Sequence, residues 1–192
     1  MADYDDPGWR PILRSVALMA IPFVGVFLSR RRRRITDGLT ALRSIYVGTV
    51  MAVWLLGLVL LFIVPRRHWF ALSRSNSFFW VVLGVGVTSL VYVRAIRSRS
   101  LKTSSPAALS ASYRGNFFIG LGVSEAAALA GFVGSFIIGT WWIYLMGASF
   151  ATIGFVTIGP SRREIARRQE QIASQGSSLS LGKALMGPTS TS

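Results

Sequence analysis

The chain has 192 residues, 52% hydrophobic and 15% charged, with a formal net charge of +14, a single histidine and no cysteine. The charged share is well below the roughly 25% of soluble domains, and the apolar residues run in long blocks instead of recurring at helical or strand spacing, which excludes an ordinary soluble domain. Without cysteine there is no disulfide, thiolate nucleophile or thiolate metal site, and His68 alone makes no cluster, so no metal or other cofactor is expected. The basic residues sit between the apolar blocks, whereas a nucleic-acid binder spreads them over one soluble face, so no nucleic-acid partner is expected. All of the 21 basic residues except Lys102 and Lys183 are arginine, which fits a GC-rich bacterial genome.

In chain order, residues 1–10 form an acidic segment that starts MADYDD. Residues 11–29 (PILRSVALMAIPFVGVFLS) are an apolar helix, read as a fifth span or, since Arg14 and Pro22 interrupt it, as an interfacial helix on the cytoplasmic leaflet. A cleaved signal peptide is not expected, because the preceding region is acidic and no small-residue cleavage site follows. Residues 30–43 read as a basic linker in which Arg30, Arg31, Arg32, Arg33 and Arg34, held between apolar segments, contact anionic lipid headgroups at about 1 kcal/mol each. Apolar blocks follow at 44–65, 77–93, 117–139 and 141–159, each close to the ~20 residues that cross a hydrocarbon layer. Residues 94–114 read as a basic helix end followed by a Ser/Pro-rich connector. Beyond the fourth block, 160–175 read as a basic cytoplasmic helix with Glu164 one turn from Arg168, and 176–192, rich in Ser, Gly, Thr and Pro, as a disordered tail.

The arginines orient the chain. If the blocks alternate, Arg30 to Arg34 and Arg43, then Arg94, Arg97, Arg99, Lys102 and Arg114, then Arg162, Arg163, Arg167, Arg168 and Lys183 all fall on one side, against only Arg66, Arg67 and Arg74 on the other. The positive-inside rule then predicts an all-α integral protein of the bacterial inner membrane, a four-helix transmembrane core with its C-terminus in the cytoplasm.

Glu125 is the only acidic residue in any of these four blocks. Counted from Phe117 at 1.5 Å per residue it lies roughly 12 Å deep, against ~15 Å for the midplane of the hydrocarbon. No basic residue within a span can pair with it, so a neutral, hydrogen-bonded carboxyl with a raised pKa is expected. Matching depths place Gly84 and Gly86 where a helix backbone could approach it, and Ser149 where a hydroxyl could bond it. Gly122, Ala126, Ala130 and Gly134 put a small residue at every fourth position of the same block, the pattern that lets helix backbones pack closely in lipid.

The hairpin 78–138, with VVLGVGVTSL on one helix and FFIGLGVSEAAALAGFVGSFI on the other, resembles the ring-forming proteolipid (subunit c) of rotary ATP synthases. In that family a glycine-rich helix packs against one whose midpoint carboxyl carries a proton or sodium ion. The resemblance implies that Glu125 is the ion-carrying group and that Gly84 and Gly86 belong to the glycine helix. A long loop replaces the family's short polar motif, and two further spans and a charged tail flank the hairpin. Over its whole length the chain is similar to a group of uncharacterised bacterial four-helix membrane proteins with an LRSIY-type start to the first span, a Glu-Ala-rich third span and a basic segment after the fourth. The expected function is non-enzymatic: an accessory or assembly component of a larger membrane complex, in a homo- or hetero-oligomer. The alternative is proton or cation transport through Glu125. An enzyme is not expected, since Glu125 has no His, Asp or Cys companion at its depth.

Overall fold

The computed structural model describes Trp9, residues 38–64 and residues 77–186. The apolar segment 11–29, Arg30 to Arg34, and His68 with Arg66, Arg67 and Arg74 lie outside the described residues. Every described element is helical: α1 (Gly38–Ile63), α2 (Ser77–Ser98), α3 (Pro106–Ile138), α4 (Trp141–Ile158), α5 (Arg162–Ser174) and α6 (Leu181–Met186). Helices α1 to α4 are long and apolar enough to cross a membrane.

Three boundaries differ from the sequence reading. Helix α1 begins at Gly38, within the stretch read as linker, because Leu39 and Leu42 are buried and extend its inward face. Helix α3 begins at Pro106, not at 117. Ser105 starts it: its Oγ accepts the Ala108 N–H at 3.1 Å and its carbonyl accepts the Leu109 N–H at 2.9 Å. Proline suits the first helical position, where no N–H is needed, so the Ser-Pro pair that read as a connector is a helix start. The tail read as disordered contains α6, with Leu181 and Leu185 fully buried. Gln169 of α5 brackets that segment, its Nε2 donating to the Leu179 carbonyl at 2.9 Å and its Oε1 accepting the Leu181 N–H at 2.8 Å.

Local chemistry sets the other ends. Gly139, at φ +73°, makes the tight turn from α3 into α4. The Ser161 Oγ accepts the Glu164 N–H at 3.2 Å at the start of α5, and Gly176, at φ +77°, closes that helix while Ser177 N–H reaches the Ile172 carbonyl.

The chain divides into two compact units. One comprises Met1–Gly48, Ser100–Arg114 and Gly159–Ser192. Its core gathers Leu39, Leu42, Leu101, Leu109, Tyr113, Ile165, Ile172, Leu181 and Leu185. The other comprises Thr49–Arg99 and Gly115–Ile158 and is built of the four long helices. Many large apolar side chains lie on its outer surface, with Phe62 85% and Val156 75% exposed.

Helix α4 is the hub of this apolar unit. Against α1, the Tyr144 ring covers Gly57, its hydroxyl donates to the Val53 carbonyl, and Trp141 Nε1 donates to the Gly57 carbonyl at 3.2 Å. Helix α2 is met by Phe150, which lies where a Cβ on Gly86 would project, and by Trp142, whose ring centroid is 5.6 Å from that of Phe79. On the α3 side the backbones themselves touch: a Cβ added to Gly147 would lie 2.9 Å from the Gly131 Cα and also strike the Ala127 carbonyl, while Gly154 receives Ser124. Such close crossings need residues without a side chain on both helices.

Candidate functional site

The face of α3 that packs inward is Gly120, Ser124, Ala127 and Gly131, each buried. It is a different row from the stripe expected from sequence. Of that stripe only Gly134 is buried, against Ile143, Val82 and Phe78; Ala130 is half-buried, and Gly122 and Ala126 are exposed, with nothing within 4 Å of a Cβ built on Gly122. Two small-residue rows run along the same helix, and the structure uses one of them.

Glu125 sits at the border between these faces. Ser124 beside it and Leu121 and Ala128 one turn away are buried, whereas Gly122, Ala126 and Leu129 are exposed, and Glu125 itself is half-buried. Among the described residues nothing donates a hydrogen bond to its carboxyl or forms an ion pair with it. The expected hydroxyl partner is committed elsewhere: Ser149 is exposed, and its Oγ donates to the Leu145 carbonyl of its own helix at 2.7 Å. Ser124 likewise bonds the Gly120 carbonyl at 2.9 Å. Hydroxyls in apolar helices satisfy themselves in this way on the preceding turn. Gly86 faces Phe150, and Gly84 is exposed with nothing within 4 Å of a Cβ placed there, so no backbone closes on Gly84. The structure therefore does not gather Gly84, Gly86 and Ser149 around Glu125 as a binding shell.

A second constellation of charged groups lies in the other unit. Glu164 Oε1 is 3.2 Å from Arg168 Nε and 2.6 Å from Arg167 Nη2, and the Glu164 and Arg168 side chains are 8% and 5% exposed. The hydrogen bonds it donates to Glu164 hold the Arg167 guanidinium above its usual pKa, whereas burial pushes that of Arg168 down, opposed by the Glu164 charge. Arg43 is fully buried, its Nε donating to the Pro160 carbonyl at 3.1 Å and its guanidinium 5.2 Å from the centroid of the Trp9 ring, which also meets Tyr46. Counting Arg43 only among the basic residues that orient the chain missed this. The signal was its place beside Leu39 and Leu42 on a helical period.

Glu164 and Arg168 are buried in a unit whose core is rich in leucine and isoleucine, which suits the cluster to fix structure. Among the described residues no three His, Cys, Asp or Glu side chains come together to hold a metal ion. No family model matches the chain, and no curated protein or solved structure matches it either.

Proposed function

We propose that the chain is a multi-pass protein of the bacterial inner membrane, C-terminus in the cytoplasm, that serves without catalysis as an accessory or assembly component of a larger membrane complex. One observation carries this: an ionisable carboxyl, Glu125, has no hydrogen-bond or ion-pair partner among the described residues and stands at the edge of an open helix face whose exposed neighbours Gly122, Ala126 and Leu129 are apolar. Such a group is costly against lipid and is supplied with a partner when another helix covers it. Gly122 and Ala126 on that face leave room for a close approach. Exposed Arg163 and Lys183, with Arg30 to Arg34 in the sequence, suit a cytoplasmic face against anionic headgroups. The test is native mass spectrometry of the protein gently extracted from its own membrane. Companion subunits in a fixed ratio are the expected result, and a lone monomer contradicts the reading.

The same half-exposed carboxyl also favours a second reading, proton or cation transport by cycling of Glu125. Carbodiimide modifies protonated carboxyls in apolar sites. Labelling of Glu125 that fades as pH rises supports transport, and failure to label counts against it.

A further inference from the structure

We propose that the outward face of α3 beside Glu125 is the docking surface for one transmembrane helix of a different protein, and that this helix presents a Lys or Arg side chain to the Glu125 carboxyl. The proposal rests on the accessory-subunit reading and names the chemistry of its partner. Exposure alone would not distinguish the face, since Phe62 of α1, Trp80 of α2 and Val156 of α4 are also exposed, and lipid tails cover such surfaces well. A carboxyl differs, because hydrocarbon offers it neither a donor nor a counter-charge. Gly122, one turn before Glu125, and Ala126, next to it, are exposed, and a Cβ at Gly122 would meet nothing within 4 Å. A neighbouring helix can therefore come near enough to reach the carboxyl with a side chain.

Charge chooses the occupant. A second copy docking through the same face about a two-fold axis would set Glu125 against Glu125, two like charges in an apolar setting. The described part of the apolar unit offers no cation from mid-helix to a second copy either: its only basic residues are Arg94, Arg97 and Arg99, in and just beyond the last turns of α2. A helix that carries its own Lys or Arg at the depth of Glu125 meets the requirement.

The experiment places the photo-crosslinker p-benzoylphenylalanine at Leu129, which is exposed one turn beyond Glu125, in the full chain in its own membrane. A control probe replaces Phe62 on α1, and native mass spectrometry of the same membranes reports companions. We expect the Leu129 probe to capture a membrane protein whose crosslinked helix contains Lys or Arg. Capture should fall about tenfold in Glu125→Lys and return when that basic residue is changed to Glu in the same cells. Where Glu125→Lys does not insert, Glu125→Gln, which keeps the shape, should give the same fall at unchanged protein level. Capture of a second copy, of a helix lacking Lys and Arg, or of a companion whose yield ignores both variants overturns the proposal. Companions seen by mass spectrometry and captured only from Phe62 overturn this face while leaving the accessory reading in place. No companion by either method overturns both.

Discussion

Glu164 and Arg168 form a charge pair that folding has removed from water, with side chains 8% and 5% exposed. Taking two ions out of water costs several kcal/mol each, and their attraction returns this only while both are present. Glu164→Gln leaves the Arg168 guanidinium buried without its counter-charge, so a destabilisation of about 3–5 kcal/mol is expected, read as a lower unfolding midpoint in detergent. Arg167 binds the same carboxylate but is 42% exposed, so Arg167→Gln should change stability by less than about 1 kcal/mol. The opposite sign is expected at Ser135, whose fully buried hydroxyl has no hydrogen-bond partner among the described residues: Ser135→Ala should raise the midpoint or leave it unchanged. The Glu164–Arg168 contact could be read from spacing alone, because residues four apart on a helix are neighbours. The burial of Arg43 could not, because a long side chain beside a membrane-bound segment is read as snorkelling to the headgroups, and only the fold reveals that the Pro160 carbonyl and Trp9 enclose it.

Glycine has opposite meanings on different helices. At Gly147 an added methyl would strike the Ala127 carbonyl and the Gly131 Cα, both backbone, so neither can swing aside. Gly147→Ala should therefore push α3 and α4 apart at a cost of about 1–3 kcal/mol. At Gly84 the same change meets open space and should be neutral or stabilising by up to about 1 kcal/mol, since alanine is the better helix former. Parallel thermal melts of the two variants check both signs. The four long helices were legible because each is a continuous apolar block. Which face of α3 turns inward was not, because Gly120, Ser124, Ala127 and Gly131 interleave with Gly122, Ala126, Ala130 and Gly134 on the same helix, and spacing alone favours the more regular row. Packing chose the other, because Gly147 and Gly154 of α4 meet Gly131 and Ser124. The start of α3 was hidden for a related reason: composition marks Ser and Pro as loop formers, whereas position makes Ser105 and Pro106 a cap and a first turn.

At the scale of the whole molecule, the proposed threading is directly measurable because the chain has no cysteine of its own. A single Ser104→Cys, in the exposed loop before α3, should resist a membrane-impermeant maleimide in intact cells and react once the membrane is opened, whereas Ser77→Cys, at the exposed start of α2, should react from outside. Reversal of the two patterns would invert the proposed orientation. The unit that carries the Glu164 pair has another consequence, in the order of synthesis. It is assembled from residues of Met1–Gly48, Ser100–Arg114 and Gly159–Ser192, and among its fully buried side chains are Leu181 and Leu185, brought in by the Gln169 bracket. A growing polypeptide cannot close that unit until residue 185 has left the ribosome, long after α1 has been made. Translation that stops before α6 therefore yields a chain with four complete apolar helices and an open leucine core, a surface that a quality-control protease can tell from the finished protein.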